Sequence, residues 1–159
     1  MAIIALLLSA VAVAVDQILK FLVIQNLKPV GKITAIPGFL NFIYLENRGA
    51  AFGMLQNQKW FFVAMTSLIS LAIIIAMFRY TRHEFFSYAA SILIVGGGIG
   101  NMLDRIRYSF VVDYISVSFF PPIFNFADCC VTVGTIFLMI HLLFYAERDK
   151  NVERVLHTK

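Results

Sequence analysis

Four long apolar runs limit what this chain can fold into. They cover residues 2–24, 60–78, 85–103 and 126–145. Each is close to the roughly 20 residues that a helix needs to cross about 30 Å of hydrocarbon. Because the interior of a bilayer offers no water to an open backbone, such runs have to be helices. The sequence therefore predicts an all-α integral membrane protein with four transmembrane helices.

The composition agrees with a single membrane-embedded domain over residues 1–159. Hydrophobic residues make up 60% of the chain and charged residues only 14%, and a soluble domain of this size could not bury so much apolar surface. The formal net charge is +4, but the basic residues are spread over several loops. This pattern argues against nucleic-acid binding and suits contact with anionic membrane lipids.

An alternative interpretation of the first run is a cleaved signal peptide, since Ala12-Val13-Ala14 resembles a small-x-small cleavage site. A basic segment before the run is missing, however, and the apolar run resumes after Asp16 and Gln17. These two features favour a retained first helix.

The four crossings place both termini on one side of the membrane. Basic residues are nearly balanced between the two sides, but Arg79 and Arg82 lie in the shortest loop, where the positive-inside rule has most weight. This favours cytoplasmic termini, with residues 146–159 as a cytoplasmic tail. The loops 25–59 and 104–125 then lie on the extracytoplasmic side.

These two outer loops have structure of their own. Residues 33–45 are rich in β-branched and aromatic side chains and are broken by Pro37-Gly38, which predicts a small hairpin or β-cradle. Residues 50–55 are short and apolar and predict a surface helix. Residues 110–115 are again strand-like, and Pro121-Pro122 should stop any strand before the fourth helix.

Polar residues gather at the outer ends of the predicted helices and in the outer loops. Such residues are costly in or beside a membrane and commonly mark a functional site. The members of this one-sided cluster are Asp16, Lys20, Asn47, Asn101, Asp104, Arg105, Asp113, Asn125 and Asp128.

Asp16 and Lys20 lie four residues apart and therefore share a helix face. They can form a self-neutralising pair that lets the helix end sit at the interface, anchor an outer loop, or hold substrate. Farther along, Asp104 and Arg105 are adjacent, and we expect Arg105 to hold Asp104 in a fork-like pair.

The run Gly96-Gly97-Gly98-Ile99-Gly100 closes the third apolar segment. The G-x-x-x-G spacing of Gly96 and Gly100 permits close helix packing. Alternatively, the missing side chains clear room for an extended substrate.

Asp113 and Asp128 differ from the other acids because both have mainly apolar neighbours in sequence. If they face each other, repulsion and burial make them share one proton, as aspartic-protease chemistry requires. The alternative is that Asp128 is an N-terminal helix acid or cap and Asp113 an acid at a strand end. Spacing alone leaves both open.

The motifs of serine proteases and zinc metalloproteases are missing from the sequence. There is no G-x-S-x-G or H-E-x-x-H, and His83, His141 and His157 lie away from the polar cluster. Cys129 and Cys130 are adjacent, without another thiol, and are interpreted as packing residues. No metal site and no cofactor are predicted.

A different class of function is a small binding or transport protein whose acids relay protons or hold a lipid headgroup. A relay should spread acids through the membrane depth, whereas these lie at one edge. A purely structural helical partner would leave so many costly polar groups unexplained.

Five motifs occur in order along nearly the whole chain. They are Asp16-Gln17-x-x-Lys20, Glu46-Asn47-x-Gly49-Ala50-Ala51-Phe52, Gly97-x-x-Gly100-Asn101-x-x-Asp104-Arg105, Val111-Val112-Asp113-Tyr114-Ile115 and Phe124-Asn125-x-Ala127-Asp128. Together they resemble the lipoprotein signal peptidase family, also called signal peptidase II. Tyr114 stands where phenylalanine is common in that family, and the stretch from Asp113 to Asp128 looks short for it.

The resemblance implies an aspartyl endopeptidase of the bacterial inner membrane with its active site near the extracytoplasmic face. It would cut prolipoproteins before a cysteine that carries a diacylglyceryl group, and globomycin would inhibit it. Membrane lipids would surround a monomer. Asp113 and Asp128 would be the catalytic dyad, while Asp16, Lys20 and Asp104 would support the fold. The residues expected to bind substrate or organise the site are Asn47, Gly49, Gly97, Gly100, Asn101, Arg105 and Asn125.

Overall fold

A computed structural model describes residues 1–50, 54–79 and 85–157, with side chains described as far as Phe144. Within these residues four long helices occur: α1 (Ala2–Leu22), α2 (Lys59–Arg79), α3 (Phe85–Tyr108) and α4 (Phe126–His157). A π-helical turn, Val23–Leu27, continues α1. Each of the four helices contains a segment long and apolar enough to cross a membrane, which agrees with the prediction.

Helix α3 extends five residues beyond the predicted end at residue 103. Asp104 and Arg105 therefore lie on its last turns and not in an outer loop, which gives both side chains fixed directions. Helix α4 also continues past residue 145, to His157.

Helix α3 is the centre of the bundle, since it packs against α1, α2 and α4. Its glycines permit this. A Cβ atom added to Gly96 would lie 2.8 Å from the Cβ of Ala12 on α1, and one added to Gly97 would collide with the carbonyl oxygen of Ala127 on α4. Small residues at such contacts let helix backbones approach closely.

A four-stranded antiparallel sheet lies at the end of the bundle where α1 ends and α4 begins. Its strands are β1 (Lys32–Ile36), β2 (Leu40–Asn47), β3 (Val111–Val117) and β4 (Phe120–Phe124), in the order β1-β2-β3-β4. The predicted hairpin is confirmed, with Gly38 at a φ of +73° in the turn, a conformation that suits glycine. Leu45 is paired with Asp113, so the C-terminal end of β2 lies beside this acid.

The prediction that Pro121-Pro122 would end any strand is wrong. Both prolines lie inside β4, which forms an edge of the sheet and, within the described residues, pairs with β3 alone. The register pairs Val117 with Phe120 and Ile115 with Phe124. Proline is tolerated on an edge strand because its missing N–H removes no bond that a further strand would need.

The predicted surface helix over residues 50–55 falls mainly on residues 51–53, which lie outside the described residues. On either side of them the chain is joined by backbone hydrogen bonds, from Ala50 N to the Met54 carbonyl at 2.8 Å and from Asn57 N to the Arg48 carbonyl at 2.9 Å.

Candidate active site

The N-terminus of α4 is capped by a reciprocal pair, Asn125 and Asp128. The Asp128 backbone N–H donates to Asn125 Oδ1 at 2.9 Å, and the Asn125 backbone N–H donates to Asp128 Oδ2 at 3.1 Å. This is a capping box in which an aspartate takes the position usual for glutamate. Asp128 is thus a helix cap, as one alternative held, but only one of its two oxygens serves the cap.

The remaining N–H groups of the first turn of α4 are also satisfied. Phe126 N donates to the Tyr114 hydroxyl oxygen at 3.3 Å, and Ala127 N donates to Asp16 Oδ1 at 3.2 Å. Helix ends carry such unpaired donors, and here side chains from α1 and β3 accept them. The position of Asp128 is therefore fixed from several elements.

Asp113 is held on β3 by two side-chain amides. Asn125 Nδ2 donates to Asp113 Oδ1 at 2.6 Å, and Asn47 Nδ2 donates to Asp113 Oδ2 at 2.8 Å. The residue is only 1% exposed. Burial, together with the negative charge of Asp128, raises the pKa of Asp113 to about 7, against the pull of both amides and the Lys20 charge.

Asn101 connects the second acid to α3. Its Nδ2 donates to Asp128 Oδ1 at 2.7 Å, while its Oδ1 accepts from Asn125 Nδ2 at 3.2 Å. Asn125 therefore joins Asp113, Asp128 and Asn101, and each carboxyl oxygen of the two acids accepts an N–H. The structure brings together the two acids and the three asparagines that the sequence placed in one cluster.

Behind this group lies a buried charge triad. Lys20 Nζ is 2.9 Å from Asp16 Oδ2 and 2.9 Å from Asp104 Oδ2, and all three side chains are almost fully buried. The Asp16–Lys20 pair predicted from the sequence is present. The Asp104–Arg105 pair was wrong, because Asp104 points toward α1 and accepts from Lys20 and from Val112 N at 3.1 Å.

Arg105 contacts the loop after β2 instead. Its Nη2 donates to the Gly49 carbonyl at 3.2 Å, its Nη1 donates to the Asn101 carbonyl at 3.3 Å, and its guanidinium lies over the Phe62 ring at 4.5 Å. Gly49 N in turn donates to Asn47 Oδ1 at 3.0 Å. Arg105 and Asn47 therefore both hydrogen-bond to Gly49 and hold the start of the loop after β2 beside the two acids.

Gln17 belongs to this network, although no site role was predicted for it beyond its place in the first motif. Its Nε2 reaches Asp104 Oδ1 at 3.0 Å, Asp16 Oδ2 at 3.2 Å and the Gly100 carbonyl at 3.2 Å. The signal was available: an amide in an apolar helix, next to an aspartate, needs partners inside the bundle.

The glycines of α3 serve mainly for packing. A Cβ added to Gly100 would lie 2.5 Å from Asp16 Oδ2, so glycine is needed for this carboxylate to reach its place. Gly96 and Gly97 face α1 and α4, as described above. These contacts support the packing alternative over cleared space for a substrate. The glycine of this run that lines the cavity is Gly98.

A cavity of about 770 Å³ contains both acids. It runs from Asn47 and Arg105 down to Ile94 and Ser70. Along α3 the stretch from Arg105 to Ile94 is about 16 Å long, at about 1.5 Å per residue. The cavity therefore reaches well into the membrane-spanning part of the bundle. Thr66 and Ser70, which line it from α2, were missed, although their spacing of four residues places both hydroxyls on one helix face.

The chain matches known proteins over most of its length. The sequence model of the family described as signal peptidase (SPase) II matches residues 8–144. The chain belongs to the signal peptidase II family. It is thus an enzyme of the aspartic-type membrane proteases and a multi-pass membrane protein.

Individual relatives agree with this assignment. The lipoprotein signal peptidase of Caldanaerobacter subterraneus subsp. tengcongensis is 40% identical over 140 residues, covering 88% of this chain and 96% of the relative. That of Clostridioides difficile is 36% identical over 146 residues, covering 91% of this chain and 98% of the relative. A solved structure of a bacterial membrane enzyme at 2.3 Å resolution superposes with a TM-score of 0.80 and 33% identity, covering 87% of each chain.

Proposed function

We propose that this enzyme removes the signal peptide from diacylglyceryl-modified prolipoproteins by cutting before the lipidated cysteine. Water held between Asp113 and Asp128 is the nucleophile. One observation carries the proposal: two acids, Asp113 buried and Asp128 half-buried, are each held by amide donors and open into a cavity that continues into the membrane.

The chemistry follows from the charge state of the pair. Burial and the neighbouring Asp128 raise the pKa of Asp113 to about 7, so near neutral pH the two acids retain one proton between them. The ionised member takes a proton from water as the water oxygen bonds to the scissile carbonyl carbon. The protonated member gives its proton to the carbonyl oxygen, which yields a neutral tetrahedral intermediate.

Collapse of that intermediate completes the reaction. The protonated acid of the pair gives its proton to the leaving nitrogen as the C–N bond breaks. The ionised acid takes the proton of one diol hydroxyl, whose oxygen re-forms the carbonyl of a carboxylic acid. The products are a signal peptide with a new C-terminal carboxyl group and a lipoprotein whose N-terminal residue is the lipidated cysteine. The pair returns to its one-proton state.

Asn47, Asn101 and Asn125 hold the acids at fixed positions before substrate arrives. Each donates an N–H to a carboxyl oxygen, at distances of 2.8, 2.7 and 2.6 Å. Donors that are already oriented need no rearrangement during the reaction, which lowers the barrier. Asn125 is fully buried, and all three amides are themselves hydrogen-bonded, so the acids are held in place toward one another.

The cavity suits a substrate that lies partly in the membrane. Farther into the bundle than the acids, the cavity is lined by Gly98 and by the hydroxyl-bearing residues Thr66 and Ser70. Apolar side chains such as Ile69 and Ile94 also line it. The signal peptide would descend along this wall while the acyl chains of the cysteine remain in lipid. Globomycin would occupy the same cavity.

The orientation is part of the proposal. The termini lie in the cytoplasm, the sheet and the two acids lie at the extracytoplasmic face, and the enzyme acts as a monomer. A reporter enzyme that is active only outside the cytoplasm, fused after residue 159, should therefore remain inactive. Activity of that fusion would reverse the orientation.

The test uses purified enzyme in detergent with a diacylglyceryl-modified prolipoprotein, and the same prolipoprotein without the lipid as matched substrate. Cleavage of the lipidated form alone, with the new N-terminus at the modified cysteine by mass spectrometry, is expected. Folded Asp113→Asn and Asp128→Asn variants should lose activity by at least about 10³-fold, since neither retains the shared proton.

Glu46→Gln is the matched control. The side chain of this acid is 31% exposed and forms ion pairs with Lys28 at 3.2 Å and Arg48 at 3.5 Å, with no hydrogen bond to Asp113 or Asp128 among the described residues. The variant loses a carboxylate without touching the pair and should cleave at the normal rate. Normal cleavage by either of the two aspartate variants would disprove the proposed mechanism.

A further inference from the structure

We infer that Lys20 is a positioning residue, whose ammonium fixes the direction of the Asn101 side-chain amide so that its N–H faces Asp128. The inference rests on the proposed function, because it takes Asp128 as a member of the reacting pair. It gives Lys20 a role in the reaction beyond support of the fold.

All three hydrogens of the Lys20 ammonium have acceptors. Besides Asp16 and Asp104, the third acceptor is Asn101 Oδ1, at 2.8 Å. An ammonium group donates and never accepts. The end of the Asn101 amide that faces Lys20 must therefore be its oxygen.

The direction of the amide then follows. With its oxygen toward Lys20, the NH₂ group of Asn101 points to Asp128 Oδ1 at 2.7 Å. Asn125 Nδ2 also donates to this oxygen, but over 3.2 Å, so the shorter and charged bond from Lys20 is the stronger constraint. The lysine thus acts on Asp128 through one intervening side chain.

Burial makes the constraint effective. Lys20 is 2% exposed, and Asp16 and Asp104 are 0% exposed, so water cannot replace a missing donor. Without the ammonium the amide can rotate and present its oxygen to Asp128 Oδ1. Two acceptors would then face each other unless Asp128 kept a proton there, and the proton would no longer be shared freely with Asp113.

The charge of Lys20, like its hydrogen bond to Asn101, favours an ionised carboxylate in the acid pair. It lowers the pKa of Asp113, opposing burial and Asp128. Removing it should shift the pH profile of cleavage to higher pH. The ionisable groups around Lys20 and the acid pair, among the described residues, are Asp16 on α1, Asp104 and Arg105 on α3, Asp113 and Tyr114 on β3, and Asp128, Cys129 and Cys130 on α4.

Three variants separate the contributions. Lys20→Met removes charge and donor, Lys20→Gln removes the charge but keeps an N–H donor, and Asp16→Asn alters the same triad without touching the bond to Asn101. In the lipidated-prolipoprotein assay, Lys20→Met should lower kcat by about 10- to 100-fold, the effect expected for one charged hydrogen bond. Its pH profile should move to higher pH.

Lys20→Gln should recover part of kcat, because its amide can still donate to Asn101 Oδ1. Asp16→Asn should lower the unfolding temperature without any shift of the profile to higher pH, since it removes a negative charge. If Lys20 and Asp16 acted in folding alone, the folded fractions of all three variants would have the same pH profile of cleavage. A folded Lys20→Met with unchanged kcat and pH profile would overturn the inference.

Asn101→Ala supplies a second measurement if the lysine variants do not fold. It removes the side chain through which Lys20 acts, so it should lose kcat to the same extent. Where both single variants fold, their combination should lose no more than either alone. Full activity of Asn101→Ala, or additive losses, would contradict the inference. Failure of the wild-type enzyme to cleave the lipidated substrate would instead count against the proposed function.

Discussion

Asn125 donates a 2.6 Å hydrogen bond to Asp113 while its own backbone N–H is bonded to Asp128. One fully buried side chain therefore sets the position of both acids and also caps α4. Asn125 provides a cap oxygen, two amide hydrogens and a backbone donor, and each has a partner. No other residue type of this size provides the same set.

Asn125→Ala should therefore lose both stability and activity. Loss of the cap oxygen should lower the free energy of unfolding by about 1–2 kcal/mol, and the acids would lose the donor between them. The matched variant is Asn125→Asp, which keeps the cap oxygen but turns a third carboxylate toward Asp113. We expect near-normal thermal unfolding at low pH for Asn125→Asp, with cleavage as weak as in Asn125→Ala. Normal cleavage by Asn125→Asp would show that the amide is not needed.

Gly98 and Gly100 can be used to distinguish a glycine that lines the cavity from one that is needed for helix packing. A Cβ at position 100 would lie 2.5 Å from a buried carboxylate oxygen of Asp16, whereas one at position 98 meets only Thr66 Cγ2 at 3.2 Å and Ser70 Oγ at 3.7 Å. Gly100→Ala should lower the free energy of unfolding by about 1–3 kcal/mol, the usual cost of overpacking. Gly98→Ala should fold normally.

Cleavage kinetics should separate the two glycine variants. Because Gly98 lines the cavity, a methyl group there narrows it and should raise KM several-fold with little change in kcat. Gly100→Ala should recover its activity on cooling, when more of it is folded. Equal unfolding temperatures for the two variants would show that Gly100 is not packed as the structure has it.

The transmembrane helices could be predicted because bilayer thickness sets the length of an apolar run. The sheet could be predicted in part, from β-branched residues around Pro37-Gly38. The proline prediction failed because tolerance of proline depends on whether a strand is at an edge, and the strand order is decided by pairing between distant segments. The same limit applies to the end of α3. The predicted helix stops at residue 103 because Asp104 and Arg105 are charged, whereas the partners that keep them in the helix, Lys20 and the Gly49 carbonyl, lie far away in the sequence.

Residue types within the site were predictable, but their pairings were not. The cluster of polar residues follows from the cost of polar groups near a membrane. Which acid meets which base depends on the face of α3 that contacts α1, and Gly100 decides this by admitting Asp16. Lys20 therefore binds Asp104, 84 residues away, while Arg105, next in sequence to that acid, does not. The cap and dyad alternatives for Asp128 were not exclusive, since its two oxygens face different partners.

Arg105 should be sensitive to replacement by lysine. Its guanidinium makes two hydrogen bonds and lies over the Phe62 ring, and lysine keeps the charge but not the planar fork. Arg105→Lys should loosen the loop at Gly49 and raise KM by about tenfold, while the pH profile stays in place because the charge remains. Steady-state kinetics from pH 5 to 9 would check both parts. A shifted profile would show that Arg105 acts mainly through its charge.

Tyr114→Phe should be tolerated. The hydroxyl oxygen accepts a hydrogen bond from Phe126 N at 3.3 Å, and within the described part of the chain it makes none to either acid. Loss of this bond should cost about 1 kcal/mol of unfolding free energy. Cleavage rate and pH profile should remain those of the wild type. A large loss of kcat would indicate a direct role for the hydroxyl in the reaction.

Asp113 should make the wild-type enzyme less stable as the pH rises. Its pKa is about 7 in the folded protein and 3.8 as the ordinary value, so between these values the folded state holds a proton that the unfolded state has lost. Stability from this proton is complete below about pH 4 and is lost as the pH rises through 7. Asp113→Asn carries no such proton, so its free energy of unfolding relative to wild type should increase over this range, by on the order of 4 kcal/mol. Unfolding temperatures of both proteins in detergent from pH 4 to 9 would measure this. Parallel curves would mean that Asp113 is ionised throughout, and a shared proton at neutral pH would then be untenable.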